Sequence, residues 1–484
     1  MLKLNKAEYL DKLHACWLGK NIGGTMGAPY EGVRSDLDIS GFATDFGAPL
    51  PNDDLDLQLV WLCAMEDVGA ERLNANVLAE YWLDWIPPHW NEYGICKTNL
   101  RLGLLPPMSG ELDNEKWKTS NGAWIRSEIW AALAPGMPDV AIKYAVCDAM
   151  VDHGVSEGTC AEIFTASLQS LAYIESDIRK LIESALQKIP EDSMTYKTIR
   201  LATDCYDKGI DYREARKQVV EFNSSLGWFQ APGNLGFVTI GLLYGEGDFK
   251  KSLIYAINCG DDTDCTGATV GATLGIIGGT GAIPSELSDH IGDSIVTVSI
   301  NGMYYPRIPK TCSDLTARVC ALVPSVAKAN RVLFAFTDGE TAYPQGEAAA
   351  YNKLTSHDLM DRAPYSFDIT FYRPFTARVE LNDTPRVSSG DERRVTITFF
   401  CNPEIAESRK LQLRLILPDS WSAGKYDKTV SLLYPQPIHG LYGFAKTEFT
   451  ITVGEQVGTI NRAYVEVTCP TLPYPVVIPI SFIG

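Results

Sequence analysis

The sequence predicts a multidomain chain of α and β parts: an all-α helical domain over residues 1–300, a helical connector over 301–364 and an immunoglobulin-like β-sandwich over 365–484. Three observations predict it. Apolar residues recur at three- and four-residue steps through the first three hundred positions, small residues repeat at the same steps after Thr266, and two-residue alternation takes over near residue 365.

Taken in order, the helical periodicity predicts helices at about residues 7–18, 73–86, 123–133, 137–151, 156–174, 177–188, 195–207, 211–222 and 249–258. Between the first two, Leu57, Val60, Trp61, Ala64, Met65 and Val68 mark one apolar face, so the acidic group Asn52-Asp53-Asp54-Leu55-Asp56 caps a core helix. After Thr266, Gly267, Ala268, Gly271, Ala272 and Gly275 give up helix propensity but let another backbone come very close, which predicts a central helix. The stretch 267–283 is short for a bilayer span of about 20 residues and reads as buried. Beyond 365, Leu411, Leu413, Leu415 and Leu417 alternate with Gln412, Arg414 and Ile416. Residues 394–400, 449–453 and 463–468 are β-branched and aromatic runs, split by turns at Ser389-Gly390-Asp391 and Val453-Gly454-Glu455, as in a sandwich of about seven strands.

Composition narrows the function. With 484 residues, 45% hydrophobic, the chain can bury two or three real cores. Lys plus Arg number 42 and Asp plus Glu 60, a formal charge of −18 that disfavours nucleic acid or an anionic membrane as a main partner. The first residues lack the apolar core and small-residue cleavage site of a secretory signal. Twelve cysteines follow no framework and show no paired zinc spacing; Cys16, Cys63 and Cys147 fall inside apolar helical patterns, as expected of reduced core residues in a cytoplasmic protein.

Chemistry concentrates in two acidic clusters, residues 52–56 and Asp261-Asp262-Thr263-Asp264-Cys265-Thr266, each where a loop runs into a helix. Adjacent carboxylates repel, and burying them without counter-charge drives them to protonate. A cation removes that penalty. Oxygen donors without His or Cys partners favour Mg²⁺, Mn²⁺ or Ca²⁺ over Zn²⁺. Helix capping explains one such cluster equally well; two, each followed by an apolar helix, favour metal.

Five segments in order resemble the ADP-ribosylglycohydrolase family, the group that includes dinitrogenase reductase-activating glycohydrolase. Residues 19–31 resemble its G-x-x-x-G-D-x-x-G-x-P-x-E, Asn52-Asp53-Asp54 its T-D-D, and Asn121-Gly122-Ala123-Trp124-Ile125-Arg126 its N-G-A-x-M-R. His153 falls where the family has a ligand-contacting His, and residues 260–265 resemble G-G-D-x-D-T. The resemblance implies an all-α orthogonal bundle around a two-metal centre of Mg²⁺, with Mn²⁺ as substitute, acting on protein-linked or small-molecule ADP-ribose. It implies Asp53, Asp54, Asp262 and Asp264 as metal carboxylates, Asn52 and Thr266 as further metal ligands, and Glu31, Asp54 and Asp262 as catalytic groups, with Glu31 carried on a mobile glycine-rich loop. Asn121, Gly122 and His153 would contact substrate, although a core histidine and an Arg126 paired to structure are rival readings. Three residues depart from the pattern: Gly24 replaces an Asp, Asn52 a Thr and Cys265 a Thr, so Thr266 would have to shift inward, and Asp56 and Asp261 are candidates to compensate. Those departures keep open another furanoside or nucleoside-like glycoside as substrate, or a non-catalytic sensor of ADP-ribose or a sugar.

Overall fold

The computed structural model describes residues 1–43, 47, 49–343, 351–371, 375–401, 407–434, 443–470 and 472–484. They form two units, one of Met1–Glu92 with Glu115–Asp361 and one of Tyr93–Asn114 with Arg362–Gly484.

The first unit is helical and is built around a pair of glycine-lined helices. Asn5 caps the helix Lys6–Gly27 by accepting from the Glu8 N–H at 2.9 Å. Residues 19–27, expected to belong to a mobile loop, are instead its last turns. They run antiparallel to the helix Thr263–Gly278, backbone against backbone. A Cβ at Gly19 would lie 2.1 Å from the Gly271 carbonyl oxygen, and one at Gly23 would lie 2.0 Å from that of Gly267. No side chain fits there, so the glycines that weaken each helix alone, by about 1 kcal/mol apiece relative to Ala, are what let the two approach. The predicted central helix is therefore central because its partner is equally small.

The helix Asp53–Val68 is buried on every side from Asp54 to Met65 rather than along one face. Fully burying side chains such as Leu57, Val60 and Met65 stabilises by roughly 1.5–3 kcal/mol each, which anchors the acidic first turn. The helix Ala231–Tyr244, absent from the sequence expectations, is also buried nearly all round and so shows no amphipathic period. Strand β1 (Leu2–Asn5) pairs in parallel with β2 (Phe334–Thr337), and the helix Cys312–Ala329 buries eight residues, so the described residues of 301–361 belong to this unit.

The second unit holds nine strands in two antiparallel sheets, among the described residues: β3 (Ser366–Phe371), β4 (Phe375–Leu381), β5 (Glu392–Cys401), β6 (Arg409–Ile416), β7 (Ser422–Ala423), β8 (Asp427–Leu432), β9 (Phe444–Thr452), β10 (Ile460–Thr468) and β11 (Val476–Ile483). The orders are β11-β10-β6-β8 and β3-β4-β5-β9-β7. Leu411, Leu413 and Leu415 face inward and Gln412, Arg414 and Ile416 outward. They meet Val379, Ile397 and Phe449 of the other sheet in one core, consistent with a β-sandwich. Leu104, Met108 and Leu112 from the 93–114 segment complete that core.

Among the described residues no helix is long and apolar enough to cross a membrane. All twelve cysteines are free thiols.

Candidate metal centre

Two helix starts supply the acids. Asn52 is extended, and its side-chain oxygen accepts from the Asp54 N–H at 2.8 Å, capping the helix that follows. Asp53 and Asp54 thereby sit in the first turn, where the helix dipole favours negative charge. At the second start Asp261 adopts a left-handed backbone, φ 68°. Its carboxylate accepts from the Phe229 N–H and from Asn234 Nδ2 at 2.9 Å, pinning the loop so that Asp262 becomes the cap residue and Asp264 enters the first turn.

The starts converge. Ligand atoms of Asp54, Asp264 and Cys265 all lie within 4.8 Å of one another, as do those of Glu31, Asp262 and Asp264. Asp264 belongs to both groups. Glu31 reaches them because the helix Lys6–Gly27 ends beside Thr263, whose hydroxyl donates to the Gly27 carbonyl at 2.8 Å. Its residue surface is largely exposed, yet its carboxyl group faces the other acids.

Burial, followed by the charges of Asp264 and Asp53, pushes the Glu31 carboxyl up to about 7. Burial likewise raises Asp54 and Asp262 well above the ordinary carboxylate range, with neighbouring carboxylates adding to the effect. Lys20 stands against them: its Nζ is 4.0 Å from Asp54 Oδ2, 3.1 Å from Glu128 Oε2, and donates to the Ile125 carbonyl at 2.7 Å. Among the described residues, Asp54 Oδ2 and Asp264 Oδ1 are buried without a hydrogen bond. Unsatisfied carboxylate oxygens gathered in a buried place are what a divalent cation would satisfy, so the donor set fits one.

The other expected residues divide. Asn121 donates to Asp262 Oδ2 at 2.6 Å and accepts from Trp124 Nε1 at 3.1 Å, which orients the aspartate. Gly122 is packed shut, since a Cβ there would lie 2.3 Å from Glu92 Oε1 and 3.2 Å from His153 Cε1. His153 is fully buried, with Nε2 3.1 Å from Ser120 Oγ and Nδ1 3.0 Å from Asp152 Oδ1, while Arg126 pairs with Asp148 and Asp152. Thr266 does not shift inward: its hydroxyl bonds the Thr263 carbonyl at 3.3 Å, and Cys265 instead donates its S–H to Asp54 Oδ1 at 3.3 Å. Neither expected compensator joins the groups. Asp56 Oδ2 accepts from the Val298 and Ser299 N–H groups at 2.7 and 2.6 Å, and Asp261 holds its own loop. Gly24 and Asn52, two of the departures, are neighbours: a Cβ at 24 would lie 2.0 Å from Asn52 Nδ2.

Sequence reasoning missed Lys20, Glu128 and Asn234. Lys20 lies inside the glycine motif and was legible as its one positive charge, whereas Glu128 and Asn234 carry no local signal.

A helical domain whose two helix starts pool their carboxylates defines a class built around an acidic, cation-ready centre. The profile of the ADP-ribosylglycohydrolase family matches residues 5–319, and the chain belongs to that family, which supports a glycohydrolase. A solved structure titled "ADP-ribosylglycohydrolase-related protein complex" is 20% identical, with 66% of this chain and 99% of that chain covered and a TM-score of 0.42. A search of curated proteins returned no match.

Proposed function

We propose that the chain is a cation-dependent glycohydrolase cleaving an N- or O-glycosidic bond to ADP-ribose, or to a related ribosyl group, on a protein or a small molecule. The observation that carries this reading is the meeting of Glu31, Asp54, Asp262 and Asp264 in two groups that share Asp264. Family membership supports ADP-ribosylated compounds as the substrate class. Asp53, Asp54, Asp262 and Asp264, with Glu31 beside them, would hold two Mg²⁺ ions or Mn²⁺. Bound there, the cations supply positive charge that orients a vicinal ribose diol and offsets developing negative charge.

The side chains do the rest. Asn121 fixes the rotamer of Asp262 through its 2.6 Å hydrogen bond. Glu31 lies against the same centre; burial and the charges of Asp264 and Asp53 raise its carboxyl in the metal-free protein, and cations offsetting those charges would lower it again, leaving a carboxylate that can take up a proton. Glycosidic cleavage passes through an oxocarbenium-like state and needs a proton on the leaving group, and a well-placed carboxyl supplies about 10²–10⁴-fold. A second reading, another furanoside in place of ADP-ribose, draws on the paired departures at 24 and 52, since a family-type Asp at 24 would require the Asn52 amide, 2.0 Å from a Cβ there, to turn away.

The test is a panel of ADP-ribosylated proteins, ADP-ribosyl small molecules and aryl furanosides, each assayed with Mg²⁺ or Mn²⁺. Cation-dependent release of the sugar, abolished by Asp262→Ala, is expected. Ligand binding without turnover would instead make the chain a sensor, and turnover indifferent to chelation would sink the reading.

A further inference from the structure

The two carboxylate groups are chemically unequal. One, Glu31 with Asp262 and Asp264, offers only oxygen; the other, Asp54 with Asp264 and Cys265, includes a thiol. Cys265 lies in the first turn of the helix that Asp262 caps, is 5% exposed, and directs its sulfur at Asp54 Oδ1, 3.3 Å away. The nearby hydroxyl that could have served instead, Thr266 Oγ1, is turned to the Thr263 carbonyl. A second observation points to a ligand in this place: Asp264 is 6% exposed, and among the described residues its Oδ1 has no hydrogen-bond partner.

We infer that the position shared by Asp54, Asp264 and Cys265 takes a thiophilic or borderline divalent cation of the Zn²⁺, Fe²⁺ or Co²⁺ class by direct sulfur ligation, so that the centre is a mixed pair rather than two equivalent magnesium sites. This rests on the cation centre proposed above and adds a selectivity that follows from this chain's own cysteine. Magnesium binds thiolate poorly, whereas zinc, cobalt and iron accept sulfur with carboxylate oxygen. On binding, the S–H proton that now points at Asp54 is released to solvent and a metal–sulfur bond forms, since the thiolate is the ligand.

The experiment is a titration of metal-freed, full-length protein with Co²⁺, read by absorbance and in parallel by calorimetry. The wild type should develop a sulfur-to-cobalt charge-transfer band in the near ultraviolet that saturates with one equivalent. Cys265→Thr and Cys265→Ser should lose the band while still binding Co²⁺. The Thr variant should also shift the Co²⁺ to Mg²⁺ affinity ratio toward Mg²⁺ by more than the roughly tenfold that losing a supporting contact costs. Cobalt bound by the wild type without the band overturns sulfur ligation and leaves the cation centre standing. A band that survives in both variants comes from another cysteine and overturns the assignment as well. Silent calorimetry with Co²⁺, Mg²⁺ and Mn²⁺ alike overturns both this inference and the reading beneath it.

Discussion

Gly23→Ala puts a methyl group where the structure has another helix's backbone. The added Cβ would meet the Gly267 carbonyl oxygen at 2.0 Å, its carbon at 2.2 Å and the Ala268 nitrogen at 2.6 Å. None of these is a side chain that can swing aside, so relief requires moving the Thr263–Gly278 helix bodily. That argues for the upper end of overpacking costs, about 3 kcal/mol, against which alanine's helix propensity returns about 1 kcal/mol, leaving a net loss of about 2 kcal/mol. The same movement carries Asp262 and Asp264 away from Asp54 and Glu31, so cation affinity should fall with stability. Gly233→Ala is the control, because it also lies in a helix but its Cβ would find only Asn223 Cβ at 3.9 Å. There the change should stabilise by up to about 1 kcal/mol. Urea denaturation followed by far-ultraviolet circular dichroism reads both. Opposite signs are expected, and a Gly23→Ala midpoint equal to or above the wild type would refute the close-approach argument.

Asn121→Ala should leave the fold intact but weaken cation binding about 10–100-fold by freeing the Asp262 rotamer; calorimetry showing unchanged affinity would remove Asn121 from the centre. Burial pushes Glu92 up to about 7 from its ordinary 4.5. The folded state then binds more protons than the unfolded one between those values, so stability falls as pH rises through that window, by up to about 3 kcal/mol. Glu92→Gln should accordingly be more stable than wild type at about pH 8 and lose that advantage below about pH 4.5, and a pH-independent difference would contradict the shift. Removing residues 362–484 strips the sheets from Leu104, Met108 and Leu112, which pack in their core; the truncated chain should retain helical signal but bind a hydrophobic dye, and a dye-silent product would argue against that packing.

Much of this was legible from sequence, for identifiable reasons. The leucine alternation at 411, 413 and 415 reports one buried sheet face directly. The two acidic clusters announced helix starts because Asn and Asp favour cap positions, which Asn52 and Asp262 occupy, and the structure brings Asp54, Asp262 and Asp264 from them together. What escaped was pairwise. The glycines at 19 and 23 look like a loop until Gly271 and Gly267 of the helix Thr263–Gly278 are placed against them. Likewise, the salt bridge between Lys20 and Glu128 joins residues too far apart for any local pattern to link. The Ala231–Tyr244 helix escaped because burial on all sides erases the period that marks helices. The motif match also suggested Thr266, shifted inward, as a hydroxyl ligand in place of the Thr replaced by Cys265, but its hydroxyl turns to the Thr263 carbonyl and Cys265 faces Asp54.

The central claim is that carboxylates from two distant helix starts share cations through Asp264. Calorimetric titration of metal-freed protein with Mn²⁺ tests it most directly, comparing the wild type with Asp264→Asn. The account predicts two equivalents bound by the wild type, one for each group, and weakened binding of both in the variant because Asp264 is common to them. Binding by the variant indistinguishable from wild type, or no binding by either, would contradict it.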